Sequence, residues 1–355
     1  MENWRSEKLK TYYDFMLEIK ADELYDKLVS YGMFSEKLPP IFAGDLFLNY
    51  CKNIRKQTFS NDWRGYINYE SMRNTNVPRN IGIPTPMGHE LLCKTLMKHW
   101  TELTEYFRKK TKGQSRIISR IHIRKMKETK ELFLMNYKNW IDDGTPEPDI
   151  YLGKRYMVHA DISKCYPSIY THAIPWALVG KDVAKDNTRK KEEWYNQIDH
   201  FAQISKNGET HGLLIGPHTS NVLSEIILCA IDEELSKKYD SYIRNIDDYI
   251  CYVNTKEEAD NFIIDLNREL RKYDLLLNHK KTKIYELPIC VVETWVHKIQ
   301  NYMVTFQKFK DYVDYREIQS FMDFIIKLTS ENTDNNSIVL YAIKALKDFN
   351  LTKNA

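Results

Sequence analysis

An acidic pair between two β-forming runs constrains this chain more than any other stretch. Residues 242–253 are Tyr-Ile-Arg-Asn-Ile-Asp-Asp-Tyr-Ile-Cys-Tyr-Val, with Asp247 and Asp248 at the centre. The pattern predicts a β-hairpin with both carboxylates at its tight turn. Adjacent carboxylates repel each other, and they persist most easily where a hard divalent cation, which prefers oxygen ligands, neutralises them. An ordinary solvated turn is the alternative that this stretch leaves open.

Composition narrows the class of protein. The 355 residues are 43% hydrophobic and 28% charged, as is typical of a soluble globular protein. The formal net charge is only +3, so a nucleic-acid partner would have to bind a local basic patch. The six cysteines form no C-x-x-C pair, and we expect reduced, buried thiols. No segment is long and apolar enough to span a bilayer, so we expect a cytoplasmic protein with no membrane partner.

The best candidate for a basic patch is residues 107–130. Within it, residues 116–124 are Arg-Ile-Ile-Ser-Arg-Ile-His-Ile-Arg and alternate as a strand does. Arg116, Arg120 and Arg124 are therefore predicted to contact a nucleic-acid backbone, because arginine suits phosphate oxygens. A solvated charged face is the alternative.

A third carboxylate, Asp161, ends another strand-like run at residues 156–160. If this strand pairs with the hairpin, the three carboxylates converge. Two or three aspartates are sufficient to hold two Mg²⁺ ions, which lower the pKa of an attacking hydroxyl and stabilise a leaving pyrophosphate. The pattern thus indicates phosphoryl or nucleotidyl transfer.

Helical patterns surround these strands, which suggests an α+β layer. They cover about residues 6–31, 41–54, 89–107, 170–178, 220–232, 255–275, 318–328 and 337–349. Ser220 is a candidate cap for the long apolar helix before the hairpin. Another helix is expected to open at residues 255–259. The polar stretch 180–195 is interpreted as a loop or a small insertion.

Five segments in this order resemble the motifs of reverse transcriptases, and together they cover roughly residues 75–300. They are Arg79-Asn-Ile-Gly-Ile-Pro in the fingers, Asp161-Ile-Ser-Lys-Cys-Tyr in the palm, the glycine loop and helix of residues 212–226, Arg244-Asn-Ile-Asp-Asp-Tyr at the Y-x-D-D motif, and Leu275-Leu-Leu-Asn-His-Lys-Lys-Thr after it. Residues 170–178 and 215–217 most resemble the defence-associated and abortive-infection (unknown-group) reverse transcriptases of bacteria.

The resemblance implies an α+β right-hand polymerase, with fingers, a palm of antiparallel sheet with helices on one face, and a helical thumb or C-terminal region. The implied boundaries are 1–60 for an N-terminal helical extension, 61–155 for the fingers, 156–290 for the palm with a helical insertion near 180–210, and 291–355 for a primer-grip hairpin and helical thumb-like tail.

The resemblance also implies the catalytic residues. Asp161, Asp247 and Asp248 would be catalytic and would hold two Mg²⁺ ions, or Mn²⁺ in their place, with the Ile162 carbonyl assisting. Tyr166 occupies the steric-gate position, where an aromatic ring clashes with a ribose 2′-OH and selects deoxynucleotides.

Further roles concern the nucleotide and the primer. Arg79 would grip the triphosphate, and Gly216 would let the backbone approach the nucleotide or template. Lys281 is a candidate for a pyrophosphate or general-acid role, with Lys280 and Lys283 as alternatives. Trp295 is placed either in the primer-grip hairpin or in the core.

Three positions depart from the family pattern, in which Ile215 would be Gln, Asn221 would be Pro and Asn245 would be Tyr. These changes affect template and primer contacts and spare the metal ligands. The main hypothesis is an RNA-directed DNA polymerase that uses dNTPs and copies a dedicated noncoding RNA into DNA in antiphage defence. Template-independent or protein-primed DNA synthesis is one alternative, and a non-catalytic nucleic-acid-binding scaffold is another. A homo-oligomer or a partner protein stays open.

Overall fold

The computed structural model describes residues 11–35, 37–39, 41–53, 65–72, 78–114, 116, 118–119, 125, 150–288, 294–307, 315–332, 335 and 337–346. The chain divides into two compact units. The larger is Met1–Ser71 with Arg79–Leu287, and the smaller is Met72–Pro78 with Pro288–Ala355. None of the described helices is long and apolar enough to cross a membrane.

The larger unit mixes helices with six strands among its described residues. Its helices are α1 (Tyr12–Leu17), α2 (Ala21–Ser30), α3 (Asp45–Asn53), α4 (Pro86–Lys98), α5 (Trp100–Thr111), α6 (Cys165–Ser168), α7 (Ala173–Val179), α8 (Lys181–Asp186), α9 (Trp194–Ser205), α10 (His218–Ser236) and α11 (Lys256–Arg271). Its strands are β1 (Tyr66–Ser71), β2 (Arg79–Pro84), β3 (Tyr156–Asp161), β4 (Tyr242–Asn245), β5 (Asp248–Val253) and β6 (Lys283–Glu286).

The strands form two antiparallel sheets. β1 and β2 make a two-stranded ribbon, and the other four strands make one sheet in the order β4-β5-β3-β6. Because side chains alternate along a strand, the sheet has two apolar faces. Val158 and Cys251 face the main core, whereas Ile243 and Tyr252 join a smaller cluster around Ile150. The predicted hairpin and the predicted strand ending at Asp161 are both confirmed.

Helix α11 shows how local sequence places an element on the sheet. Its N-terminus carries a capping box in which the Thr255 and Glu258 side chains each bond the other residue's backbone N–H, as the predicted helix start required. Ala259, Phe262, Leu266 and Leu270 then recur at helical spacing and are fully buried. This stripe packs α11 against β3 and β5.

One local prediction is wrong. Helix α10 begins at His218 and its N-cap is Pro217, so Ser220 lies inside the first turn and does not cap it. Proline fixes φ and suits the residue that leads into a helix. The stretch 180–195 contains helix α8, which follows the positive φ of Gly180, so it is not simply a loop.

The smaller unit is helical in its described part, with α12 (Thr294–Gln307), α13 (Tyr315–Glu331) and α14 (Ser337–Leu346). Trp295 lies on α12, so its predicted place in a primer-grip hairpin is wrong. Its spacing from Ile299 and Met303 is helical, and all three are buried in one cluster. The indole ring packs edge-on against Tyr341, with 5.5 Å between ring centroids, which supports the core alternative.

Candidate active site

Three carboxylates meet at one end of the four-stranded sheet. Asp161, the last residue of β3, lies opposite Asp248, the first residue of β5, in the antiparallel register. Asp247 precedes it in the turn, where Ile246 has a φ of 56°. The Ile162 N–H donates to the Asp247 carbonyl at 3.1 Å, which fixes the turn to the end of β3. The expected pairing of the two carboxylate-bearing strands is therefore confirmed.

Burial and neighbouring carboxylates raise the pKa values of Asp247 and Asp248. Burial, with the Asp161 carboxylate behind it, raises the pKa of Asp247. Burial and the charges of Asp247 and Asp161 raise the pKa of Asp248 to about 7. Lys281 acts against the shift in both cases. The cluster thus has more negative charge than its neighbours neutralise.

The segment that precedes β6 supplies the nearest donors. Lys281 Nζ lies 2.7 Å from Asp161 Oδ2, and Asn278 Nδ2 donates to Asp161 Oδ1 at 3.0 Å. The Asn278 N–H also donates to the Asp161 carbonyl at 2.7 Å. The Asp161 bond raises the pKa of Lys281, so the ammonium stays charged. Among the three candidate lysines, Lys281 is thus the one placed at the carboxylates.

The carboxylate oxygens of Asp161, Asp247 and Asp248 are chemically suited to bind a hard divalent cation. In the described ranges, no three His, Cys, Asp or Glu side chains are already arranged to hold a metal ion. Asp161 is bonded instead to Lys281 and Asn278. However, oxygen ligands that carry surplus negative charge are the ligands that Mg²⁺ and Mn²⁺ prefer.

A second charged cluster, which sequence reasoning missed, lies under the same hairpin. Arg244 on β4 is fully buried and bonds two carboxylates of α10, with Nη1 3.0 Å from Glu225 Oε2 and Nε 2.8 Å from Asp232 Oδ2. Arg244 Nη1 also donates to the Ile246 carbonyl at 3.0 Å, which holds the residue before Asp247. The available signal was an arginine within an apolar run and two acids within an apolar helix.

Tyr166 lies on α6, in the segment that follows Asp161. Its hydroxyl donates to Asn221 Oδ1 at 2.8 Å. Its carbonyl accepts the Leu213 N–H at 2.7 Å. The half-buried Tyr166 is therefore held by one hydrogen bond at its hydroxyl and by another at its backbone carbonyl.

The sequence of residues 107–307 matches the reverse transcriptase (RNA-dependent DNA polymerase) family. The chain belongs to this family. The match covers more than half of the chain and includes the whole carboxylate cluster, and the four-stranded antiparallel sheet with its helices is that of an α+β polymerase fold. No curated protein matches the chain.

Two solved structures of telomerase are similar to this reverse transcriptase. The apo telomerase of Candida tropicalis is 14% identical, with 68% of this chain and 47% of that chain covered and a TM-score of 0.40. The same enzyme truncated from its C-terminal domain is 15% identical, with 74% and 60% covered and a TM-score of 0.41. The chain therefore spans only 47% and 60% of these telomerase chains.

Two further residues predicted to contact the nucleotide or template, Arg79 and Gly216, are only partly brought to the carboxylate cluster. Arg79 begins β2, and its charge partly opposes the rise that burial causes in the pKa of Asp247, so it lies within electrostatic reach. Gly216 has a φ of 130°, and a Cβ there would stand 2.9 Å from the Ile81 side chain. The close approach at Gly216 is therefore to the β1–β2 ribbon, and a contact with nucleotide or template stays a prediction.

The predicted basic strand is mostly outside the described residues. Arg120 and Arg124 lie outside them. Arg116 is half-buried, and its charge contributes to lowering the pKa of Asp240, behind a bond from Ser241. The Ile118 carbonyl accepts the Arg244 N–H at 2.9 Å, which ties this segment to the hairpin. A phosphate contact by Arg116 stays a prediction.

Proposed function

We propose that this reverse transcriptase is an active RNA-directed DNA polymerase whose reaction needs two Mg²⁺ ions, or Mn²⁺ in their place. The Asp161, Asp247 and Asp248 carboxylates would hold them, assisted by the Ile162 carbonyl. The observation that carries the proposal is the meeting of the three carboxylates at one end of the sheet, where Asp161 lies opposite Asp248, and burial with the neighbouring charges raises the pKa of Asp248 to about 7. When bound, such ions lower the pKa of an attacking hydroxyl and stabilise a leaving pyrophosphate.

The chain's own residues supply the remaining functions. Lys281, charged and 2.7 Å from Asp161, is placed to donate a proton from Nζ to the leaving pyrophosphate. Arg79, within electrostatic reach of Asp247, would bind the triphosphate of the incoming nucleotide through its guanidinium. The Tyr166 ring would exclude a ribose 2′-OH, so that dNTPs are the substrates.

The template and the biological role are proposed from the resemblance of residues 170–178 and 215–217 to defence-associated enzymes. On this basis the chain copies a dedicated noncoding RNA in antiphage defence. Asn245 replaces the tyrosine expected beside the acidic pair. It pairs with Asp248 across the hairpin, which is where the primer end would lie. This departure keeps template-independent or protein-primed synthesis as the second candidate.

The test is DNA synthesis by purified protein with its co-purifying RNA, Mg²⁺ and labelled dNTPs. Asp247→Asn should abolish synthesis. Asp260→Asn, which changes an exposed aspartate of α11, is the matched control and should leave synthesis unchanged. Synthesis by the Asp247→Asn protein at the wild-type rate would reject the proposed site.

Pretreatment with nuclease separates the two candidates. If the RNA is the template, its removal should stop synthesis, and an added RNA should restore a product of complementary sequence. Product that continues to form from dNTPs alone would favour untemplated synthesis, and product that stays attached to the protein would indicate a protein primer. Phage plating on cells with the Asp247→Asn chain tests the defence role.

A further inference from the structure

The hydroxyl of Tyr166 is bonded to a residue that departs from the family pattern. Tyr166 Oη donates to Asn221 Oδ1 at 2.8 Å, and this position would be a proline in the pattern that the rest of the motif resembles. A proline side chain offers no acceptor, so this hydrogen bond is particular to chains that carry a polar residue here. Tyr166 and Asn221 lie on two different helices, α6 and α10.

Both ends of this bond rest on fixed structure. On the Tyr166 side, the peptide carbonyl accepts the Leu213 N–H at 2.7 Å. On the other side, Asn221 lies in the first turn of α10, a helix whose residues are buried along most of its length, and its own carbonyl accepts the Ser224 hydroxyl at 3.0 Å. Because both partners are held in place, the hydrogen bond between Tyr166 and Asn221 restricts rotation of the Tyr166 ring.

The ring is also close to the reacting centre. The segment from Asp161 to α6 turns at Lys164, which has a φ of 46°. The Asp247 carboxylate contributes, behind burial and Cys165, to raising the pKa of Tyr166. The hydroxyl therefore stays protonated, as a donor to an amide oxygen must be.

We infer that Asn221 is a positioning residue for sugar selection, since its side-chain carbonyl holds the Tyr166 ring where the ring excludes a ribose 2′-OH. This inference rests on the proposed function and adds the residue that makes the gate rigid. A ring that is free to rotate about χ1 can move aside for a ribonucleotide. A ring that is tethered through its hydroxyl must break a hydrogen bond to do so.

The experiment compares incorporation of dATP and ATP opposite the same template base. Asn221→Leu keeps the side-chain volume but removes the acceptor, and Tyr166→Phe keeps the ring but removes the donor. Each should lower the preference for dATP by roughly 3- to 10-fold, through faster incorporation of ATP, because one neutral hydrogen bond is lost. The double variant should equal Tyr166→Phe, since a phenylalanine ring has no hydroxyl for Asn221 or for Ser224, the second side chain that hydrogen-bonds Tyr166.

Two further variants separate positioning from a merely structural role. Asn221→Asp retains an acceptor oxygen and should keep the wild-type preference. Tyr170→Phe removes the hydroxyl of a neighbouring tyrosine whose ring packs on His172 and Trp176, and it should change nothing. A purely structural bond would instead lower incorporation of both nucleotides equally, together with the melting temperature.

The inference is overturned if Asn221→Leu and Tyr166→Phe leave the dATP preference unchanged, or if their effects add in the double variant. Failure of the proposed function is distinguishable, because the wild-type protein would then make no DNA under any condition. In that event the equilibrium Kd values of dATP and ATP, measured by calorimetry in Mg²⁺, provide the same comparison. Equal Kd ratios in the wild type and Asn221→Leu would reject the inference.

Discussion

Two acidic clusters lie near one hairpin turn, and they differ in the cation that offsets the like charges of their carboxylates. Under the turn, Glu225 and Asp232 share the guanidinium of Arg244, which is fully buried. At the end of the sheet, the Lys281 ammonium bonds Asp161 and acts on Asp247 and Asp248 through its charge, and the lysine side chain is 62% exposed.

The pKa values reflect this difference. Burial raises the pKa of Glu225, but Arg244 more than compensates and leaves it lowered. Burial raises the pKa of Asp232 to about 6, although Arg244 opposes the shift. At the other cluster the pKa of Asp248 is raised to about 7. The cation of the first cluster is therefore buried with its carboxylates, whereas the cation bonded to the second cluster is exposed to solvent.

The largest expected effect is a loss of DNA synthesis when an aspartate of the Asp161, Asp247 and Asp248 cluster is replaced. Asp161→Asn should lower the rate of dNTP incorporation by at least roughly 10³-fold, because it removes a ligand charge that acts in the transition state. The variant should fold, since its amide can still contact Asn278. Single-turnover incorporation measures the loss, and a melting temperature below that of the wild type would show that unfolding was the cause.

Substitution in the buried cluster of Arg244, Glu225 and Asp232 should mainly lower the stability of the fold. Arg244→Met leaves two buried carboxylates without their cation and should lower the free energy of unfolding by about 3–5 kcal/mol. Urea denaturation measures this loss. Arg268→Met, which removes a 59% exposed partner of Asp265, is the control and should cost no more than about 1 kcal/mol. Similar losses for the two variants would contradict the contrast between the clusters.

The pH dependence of stability should separate the clusters further. The pKa of Asp248 is about 7 in the fold against an ordinary 3.8, so its contribution to stability is complete below pH 3.8 and is lost as the pH rises through about 7. Without metal, Asp248→Asn should therefore become more stable than the wild type as the pH rises from 4 to 8. The partly exposed carboxyl limits the gain to about 1–2 kcal/mol. If the difference in the free energy of unfolding between Asp248→Asn and the wild type stays constant with pH, the repulsion at Asp248 is absent.

The smallest effect concerns the edge of the buried network. The Tyr12 hydroxyl donates to Glu225 Oε1 at 2.9 Å. Tyr12→Phe should lower the free energy of unfolding by about 1 kcal/mol and leave DNA synthesis unchanged. Tyr13→Phe on the same helix is the control and should change stability by less than about 0.5 kcal/mol. A loss of synthesis in Tyr12→Phe would connect α1 to the reacting centre.

Local and ordered features of this chain could be predicted from its sequence. The hairpin, the strand ending at Asp161 and the helix after Thr255 each follow from a short pattern, and the order of motifs brought Asp161 to Asp248. The contacts of Arg244, Asn221 and Asn278 could not be predicted, because each depends on the meeting of side chains far apart in sequence.

The errors have physical causes too. The resemblance suggested a hairpin around Trp295, but the spacing of Trp295, Ile299 and Met303 is that of the helix which forms. At α10, Pro217 sets the helix start ahead of Ser220.

The central claim is that the three aspartates form a site completed by divalent cations. Calorimetric titration of Mg²⁺ into the protein with template, a chain-terminated primer and the matching dNTP tests it most directly. The wild type and Asp260→Asn should bind the same amount of Mg²⁺ beyond that bound by template, primer and dNTP without protein, and the double variant Asp161→Asn, Asp247→Asn should bind no more than this protein-free mixture. Equal Mg²⁺ binding by a folded double variant would contradict the account.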